Sequence, residues 1–218
     1  MKEKELPDGD CGDGIKNPFS KDEVPNKYWA QRKRLFSKYD DGIQLDKESW
    51  YSVTPEAIAT HIAKRISAMT KEDGKKRVIL DAFCGVGGNG IAFALHEDVS
   101  LVICVDIDRK KLKMAANNAS KYGVDPSKLL FVEGNAIEVL KMYSNGSNTS
   151  SSTDANCAET CHGYTIAGYQ KLPPNIDSVF LSPPWGGVEV SVIRGVGDRS
   201  YTVSYLRRLI RLFCSQHI

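Results

Sequence analysis

The chain has 218 residues, of which 41% are hydrophobic and 26% are charged, a composition typical of one soluble globular domain with a full core. Its formal net charge is only +2, so any nucleic-acid site must be a local basic patch. No apolar run approaches the ~20 residues that a membrane span needs, and residues 1–10 are too polar for a signal peptide. A membrane-spanning or secreted protein is therefore not expected.

The six cysteines do not indicate a metal site. Cys84 and Cys104 lie in apolar segments, where a reduced thiol packs as a small hydrophobic side chain. Cys157, Cys161 and His162 stand beside a Ser/Thr-rich stretch, with no second pair at the spacing of a zinc site. The sequence therefore predicts no bound metal and a reducing compartment.

Composition divides the chain into three parts. Residues 1–26 carry Gly, Pro and Asp with few apolar side chains, which predicts a flexible lead-in. Residues 27–75 predict a helical N-terminal extension. Residues 76–218 predict the core domain, with a disordered polar insertion over about 145–171.

One helix of the extension has a clear beginning. Thr54, Pro55 and Glu56 supply a hydroxyl cap, a proline at the first helical position and an acid in the first turn. Isoleucines recur at helical spacing from Ile58 to Ile66, which predicts that this stripe is buried.

The core domain alternates short apolar runs with amphipathic segments. Strands are predicted at 77–83, 101–107, 129–134 and 176–182, and helices at 88–97 and 109–123. Such alternation predicts an α/β fold with a mostly parallel sheet, flanking helices and right-handed crossovers.

The first motif that carries chemistry follows the first of these strands. Asp81 begins a glycine-rich loop that continues to Asn89, and Asp106 ends the next strand. Glycines allow a tight turn and close approach to a ligand, and an acid at the Asp106 position accepts hydrogen bonds from ribose hydroxyls. A carboxylate at Asp81 would repel a pyrophosphate but attract a cationic methionine group. The loop therefore favours S-adenosylmethionine over a nicotinamide dinucleotide.

The second motif is Ser182-Pro183-Pro184-Trp185, directly after the fourth strand. Ligands of open α/β sheets bind at this carboxyl edge, and two prolines fix a rigid turn there. An aromatic side chain after them can stack on a base. This form is similar to the signature of amino-group methyltransferases, and we take these four residues as the candidate catalytic segment.

Four core segments and one extension segment resemble the trimethylguanosine synthase family. They are residues 78–95, 102–108, 117–119 and 179–187, together with the upstream block 27–63. The resemblance implies a class I Rossmann-like methyltransferase with a helical N-terminal extension. It implies conversion of the 7-methylguanosine cap of small nuclear and small nucleolar RNAs to the 2,2,7-trimethyl form. It also implies a nuclear protein, in the nucleolus or Cajal body, and in the cytoplasm as well.

The resemblance implies roles for individual residues. Those that would bind the cofactor are Phe36, Thr54, Asp81, Phe83, Cys84, Gly85, Gly87, Asn89, Asp106 and Asn135. Asn135 stands where the family has an acid, and its amide oxygen would accept a hydrogen bond from the adenine amine. Those that would bind the cap are Lys27 at its phosphates, Phe36 beside it and Trp185 stacked on the cationic base.

Residues 188–218 depart from the family pattern after Gly187. Only residues 188–195 could form a further strand, followed by a basic amphipathic segment at 205–213. We therefore expect a sheet that is incomplete at this end and low activity for the chain alone. Two alternatives stay open: a methyltransferase for amino groups inside other RNAs, and a truncated form that binds cofactor or a partner without turnover.

Overall fold

The computed structural model describes residues 15–67, 75–144, 158–169 and 172–183. The described helices are α1 Asn26–Trp29, α2 Arg32–Leu35, α3 Ser49–Ser52, α4 Glu56–Ser67, α5 Gly88–Ala94, α6 Arg109–Lys121 and α7 Ala136–Ser144. The described strands are β1 Arg77–Asp81, β2 Val99–Asp106, β3 Leu129–Glu133, β4 Glu159–Cys161, β5 Tyr164–Ala167 and β6 Ser178–Phe180.

The described strands form one sheet in the order β4-β5-β3-β2-β1-β6. Neighbouring strands from β5 to β6 run parallel, and β4 alone in the described sheet is antiparallel, to β5. The predicted mostly parallel α/β fold is therefore confirmed. Strand order reverses between β1 and β6, and such a reversal opens a crevice at the carboxyl ends of the strands.

Helices cover both faces of the sheet, because successive residues of a strand point to opposite sides. Ile79 belongs to a hydrophobic cluster with residues of α5, α6 and the N-terminal extension, whereas the next residue, Leu80, belongs to a cluster with residues of α7. Both side chains are fully buried. Burial on both faces explains why these strands are continuous apolar runs in the sequence.

The predicted flexible lead-in is wrong for residues 15–26, which pack against the extension. Phe19 meets Trp29 and Trp50 edge-on, with ring centroids 5.9 Å apart in each pair. Val24 is buried, and the Trp29 indole N–H donates to the Ile15 carbonyl at 3.2 Å. A few large apolar side chains thus anchor a segment whose average composition is polar.

Helix α4 begins after Thr54 and Pro55 as predicted, and the later isoleucines of its predicted stripe pack against the core. Ala59 and Ala63 are buried, whereas Ile58 is 52% exposed. The predicted isoleucine stripe is therefore wrong at its start, because α4 packs against α5 through small side chains that allow a close approach.

Part of the predicted disordered insertion is a β-hairpin. Strands β4 and β5 pair across His162 and Gly163, which have left-handed φ values of 50° and 84° as in a two-residue hairpin turn. Tyr164 is buried, and its hydroxyl donates to the Val124 carbonyl at 2.6 Å. The prediction over 145–171 is therefore wrong for Glu159–Ala167, because this short apolar run adds to the sheet beside β3.

The predictions for residues 188–218 lie outside the described residues. Within the described sheet, β6 pairs with β1 and forms one edge. Among the described helices, none combines the length and apolarity needed to cross a membrane.

Candidate active site

A cavity of about 490 Å³ lies at the carboxyl edge of the sheet, within the usual size range of small-molecule sites. The segments after four strands line it together with the extension. They are residues 82–86, 88 and 89 after β1, 106–108 and 111 after β2, 134 and 135 after β3, 182 and 183 after β6, and 46, 48, 49 and 52–54.

The glycine loop has the tight geometry that the sequence predicts. Gly87 has a left-handed φ of 92°, and a Cβ there would lie 3.1 Å from the Ala115 Cβ of α6. A Cβ on Gly88 would lie only 2.9 Å from the Val53 Cγ2 of the extension. The absence of these side chains lets α6 and the extension press against the loop.

Asp106 lines the cavity and holds two backbone turns. Its carboxylate accepts hydrogen bonds of 2.9 Å from the Gly85 N–H and of 2.9 Å from the Asp108 N–H. Burial raises the pKa of Asp106, and those two hydrogen bonds and the Lys111 charge only partly oppose the rise. Each oxygen keeps a further lone pair, so the carboxylate can still accept ribose hydroxyls.

Asp81 lies behind the loop and is fully buried, so it is not among the residues that line the described cavity. Burial is the main cause that raises its pKa to about 7, with the Asp106 charge adding to it. The Phe83 and Gly90 backbone N–H groups lower that pKa, but among the described residues neither carboxylate oxygen has a well-aligned hydrogen-bond partner. The predicted acid therefore lies behind the cavity wall rather than in it.

Asn89 of α5 and Thr54 of the extension both line the cavity and are joined by a hydrogen bond. The Asn89 Nδ2 donates to the Thr54 Oγ1 at 2.9 Å. The Asn89 Oδ1 is buried and, within the described part of the chain, has no donor. Buried polar atoms are normally paired, so this oxygen is an acceptor suited to an ammonium group of a ligand. The methionine part of S-adenosylmethionine carries such a group.

Phe83 and Cys84 belong to the first part of the glycine loop. Both line the cavity, and the Cys84 N–H donates to the Val105 carbonyl at 2.9 Å, which fixes the loop to β2. Burial raises the pKa of the Cys84 thiol well above its ordinary value. This cysteine therefore packs as a neutral wall residue rather than acting as a nucleophile.

Asn135 and Ile107 form the wall beyond Asp106. The Asn135 Oδ1 accepts from the Ile137 N–H at 2.9 Å and so caps α7, while the Asn135 N–H donates to the Tyr169 hydroxyl at 2.8 Å. This oxygen keeps a second lone pair, so the expected contact with an adenine amine is compatible with that cap. Ile107 is 76% exposed and lines the cavity, where it offers an apolar surface to a base.

The two predicted motifs meet at this site. The Ala82 N–H at the start of the glycine loop donates to the Phe180 carbonyl of β6 at 3.1 Å. Ser182 and Pro183 then line the same cavity. Pro184 and Trp185 lie outside the described residues.

Besides Asp81, the predicted residues Gly87, Phe36 and Lys27 are not among the described residues that line the cavity. Phe36 is buried in the core, where its ring lies 3.8 Å from the position of a Cβ on Gly88. Lys27 is exposed, with its Nζ 5.1 Å from the centroid of the Tyr28 ring. Phe36 therefore supports the loop from behind, and Lys27 is not part of the described cavity.

Sequence reasoning missed Lys111, which lines the cavity from α6. Its ammonium donates to Glu48 and lies 3.8 Å from the Asp46 carboxylate, so it bridges α6 and the extension. Burial lowers the pKa of Lys111, but the Glu48 hydrogen bond and the surrounding carboxylates more than offset this, and the pKa is raised overall. Glu48 and Lys111 are far apart in sequence, so no local pattern indicates their contact.

The strand order, the glycine loop and the Ser182-Pro183 turn in one cavity define a Rossmann-like methyltransferase. The chain belongs to the RNA cap guanine-N2 methyltransferase family, whose family model matches residues 76–193.

Among its relatives, the trimethylguanosine synthase of Schizosaccharomyces pombe is 36% identical over 165 residues, which cover 76% of this chain and 55% of the relative. The trimethylguanosine synthase of Saccharomyces cerevisiae is 35% identical over 165 residues, which cover 75% of this chain and 42% of the relative. An uncharacterized RNA methyltransferase of Streptococcus pyogenes serotype M3 is 29% identical over 119 residues, which cover 54% of this chain and 25% of the relative. The chain therefore spans about half the length of the trimethylguanosine synthases that it matches.

Proposed function

We propose that the chain binds S-adenosylmethionine and methylates the guanine 2-amino group of 7-methylguanosine RNA caps, giving the 2,2,7-trimethylguanosine cap. The observation that carries this proposal is the shared cavity. Ser182 and Pro183 of the amino-group motif line it together with the glycine loop and Asp106. Membership of the RNA cap guanine-N2 methyltransferase family supports the choice of the amino group.

Residues of the described cavity fit the cofactor. Asn89, with Asp81 behind it, would attract the ammonium of the methionine part, and Thr54 would contact its carboxylate. Asp106 would accept hydrogen bonds from the ribose hydroxyls, and Ile107 would pack on the adenine. When bound, S-adenosylmethionine supplies a methyl group that is activated by a positively charged sulfur.

The chain contributes orientation rather than a strong base. The carboxylates among the described lining residues all accept hydrogen bonds already: Asp46 from Ser49, Glu48 from Lys111, Asp106 from Gly85 and Asp108 from Lys110. An activated methyl donor needs mainly an aligned acceptor, which positioning alone can supply. The rigid Ser182-Pro183 turn would hold the guanine amine, which loses one proton to water for each methyl group that it gains.

Cap recognition would come from an aromatic and a basic residue. A 7-methylguanine ring is cationic, so the face of Trp185 would attract it more strongly than it attracts guanine. Lys27 would approach the cap phosphates. We further propose small nuclear and small nucleolar RNAs as the substrates and the nucleus as the place of action, because those are the substrates and the location that the resemblance to trimethylguanosine synthases implies.

The test is methyl transfer from labelled S-adenosylmethionine to 7-methylguanosine diphosphate, with unmethylated guanosine diphosphate as the control acceptor. We expect one and then two methyl additions to the 7-methylated acceptor and none to the control. Equal transfer to both acceptors would contradict recognition of the cap. No transfer by a chain that still binds S-adenosylhomocysteine would favour the non-catalytic alternative.

A second candidate is methylation of an amino group inside another RNA. The observation in its favour is the similarity to the streptococcal RNA methyltransferase. An uncapped RNA transcript in the same assay distinguishes the two functions. Transfer to internal guanine or adenine, but not to the 7-methylated cap analogue, would establish the second candidate and exclude the first.

A further inference from the structure

Asn118 in the middle of α6 connects two distant parts of the chain. Its Nδ2 donates to the Gln44 carbonyl at 2.9 Å and to the Val86 carbonyl at 3.0 Å. Its Oδ1 accepts from the Gln44 N–H at 2.7 Å. Gln44 belongs to the N-terminal extension, and Val86 belongs to the glycine loop and lines the cavity. One fully buried side chain therefore binds both segments.

Neighbouring Asn117 makes only half of this connection. It is also buried, and its Nδ2 donates to the Gly42 carbonyl of the extension at 2.9 Å. The same nitrogen donates to the Asn118 Oδ1 at 3.2 Å, and among the described residues the Asn117 side chain makes no hydrogen bond to the glycine loop. Asn117 thus supplies a matched control: same residue type, same helix, same burial and same extension segment.

Loss of the Asn118 amide would leave backbone groups of both segments without partners. The Gln44 N–H, the Gln44 carbonyl and the Val86 carbonyl would each lose a hydrogen bond in a buried setting. A buried group without a partner is unfavourable, so each segment gains by moving toward water. The extension also touches the loop directly, since Val53 contacts the Gly88 position and Thr54 binds Asn89. Release of one segment therefore weakens the other.

We propose that Asn118 is a positioning residue for the cofactor loop, through which docking of the N-terminal extension and ordering of the glycine loop are coupled. The proposal rests on the cofactor role proposed above for that loop. It makes the extension a part of the cofactor site rather than a separate cover, because the same amide holds the outer segment and the loop that meets the ligand.

The first test needs no ligand and measures amide hydrogen exchange by NMR. The Gly85 and Gly87 N–H groups report on the loop, and the Gln44 N–H reports on the extension. In Asn118→Ala all three should exchange about tenfold faster, as expected for a lost buried hydrogen bond. In Asn117→Ala the two loop amides should stay within about twofold of wild type. Unchanged loop exchange in Asn118→Ala, or an equal rise in both variants, would overturn the coupling.

A measurement on the unaltered chain covers the case in which Asn118→Ala does not fold. Exchange at increasing urea concentrations gives the opening free energy of each amide. Coupling predicts that Gln44, Gly85 and Gly87 open together, with one common dependence on urea. Independent opening of the loop at lower urea than the extension would refute the proposal without any substitution.

The second test adds S-adenosylhomocysteine and measures binding by calorimetry. We expect affinity to fall about tenfold in Asn118→Ala and to stay within about twofold of wild type in Asn117→Ala. In turnover, the KM for the methyl donor should rise in Asn118→Ala while kcat is retained. If wild type binds S-adenosylhomocysteine and Asn118→Ala binds it with the same affinity, the inference is overturned. Absence of binding by wild type would instead contradict the proposed function, and the exchange results would still decide the coupling.

Discussion

The Gly85 N–H donates a 2.9 Å hydrogen bond to the Asp106 carboxylate, which fastens the glycine loop to the end of the neighbouring strand. The second carboxylate oxygen accepts from the Asp108 N–H and shapes the turn into α6. Asp106 therefore organises two walls of the cavity before any ligand binds. Asp106 also lines the cavity, so the side chain that shapes these walls is the one proposed above to bind the ribose.

Replacement of Asp106 tests both roles at once. Asp106→Ala removes a charged acceptor from two backbone N–H groups and from the proposed ribose hydroxyls. Hydrogen bonds to charged groups contribute about 1.5–3 kcal/mol each, so affinity for S-adenosylhomocysteine should fall at least about tenfold. Calorimetry gives the dissociation constant directly. Unchanged affinity would remove Asp106 from the cofactor site.

Asp108 provides the control for that experiment. Its Oδ1 accepts from the Lys110 N–H at 2.8 Å, the hydrogen bond of a helix N-cap. Asparagine caps helices as well as aspartate does, so Asp108→Asn should retain both the fold and the affinity of wild type. A similar loss of affinity in Asp108→Asn and Asp106→Ala would indicate a general effect of negative charge near the cavity.

Trp185 is the residue whose replacement should separate cap binding from cofactor binding. Trp185→Ala should abolish transfer to 7-methylguanosine diphosphate and leave the affinity for S-adenosylhomocysteine unchanged. Trp185→Phe should keep part of the activity, because a smaller ring still attracts a cationic base. Steady-state turnover and calorimetry measure the two effects. A normal transfer rate in Trp185→Ala would rule out stacking on the cap base.

Much of the core could be predicted from the sequence because its signals are local. Strands β1, β2 and β3 are buried on both faces, so each is a continuous apolar run. Parallel strands also end at one edge of a sheet, so motifs that directly follow strands must lie near one another. That rule brings the Asp81 loop, Asp106 and Ser182 together, although they are far apart in the chain.

The parts that could not be predicted depend on contacts between distant residues. The β4–β5 hairpin lies beside a long Ser/Thr-rich stretch, and its few apolar residues are stabilised by contacts with β3, α6 and Val124, which are distant in sequence. In the sequence, Asn118 and Lys111 are ordinary polar residues of a helical pattern. Their contacts with the extension exist only in the folded chain. Asp81 ends β1 where the glycine loop begins, but its burial behind the cavity wall follows from three-dimensional packing alone.

The hairpin leads to a prediction about stability. Tyr164 is 1% exposed, packs edge-on against Phe131 with ring centroids 6.0 Å apart, and donates to the Val124 carbonyl. Tyr164→Ala should lower the free energy of unfolding by about 3–5 kcal/mol, as for other large aromatic side chains in cores. Urea unfolding measures this change in the free energy of unfolding. Thr160→Ala, at an exposed position of the same hairpin, should cost under about 1 kcal/mol. Equal losses in both variants would mean that the hairpin does not pack as described.

The last prediction concerns the pH dependence that Asp81 imposes. Burial raises its pKa from the ordinary 3.8 to about 7 in the folded chain, so between these values the folded state binds more protons than the unfolded state. The contribution of Asp81 to stability is therefore largest below pH 3.8, and this contribution is lost as pH rises through about 7. Above that pH a charged carboxylate stays buried without an aligned partner. Asp81→Asn cannot ionise and should remove this contribution.

The measurement is the free energy of urea unfolding of the ligand-free chain at pH 5 and pH 8. Subtracting Asp81→Asn from wild type cancels the titration of groups that do not interact with Asp81. We expect the variant to gain stability relative to wild type on going from pH 5 to pH 8. Asp22→Asn, at an exposed position, should follow wild type at both values. A constant difference between Asp81→Asn and wild type at the two pH values would show that Asp81 does not titrate in this range.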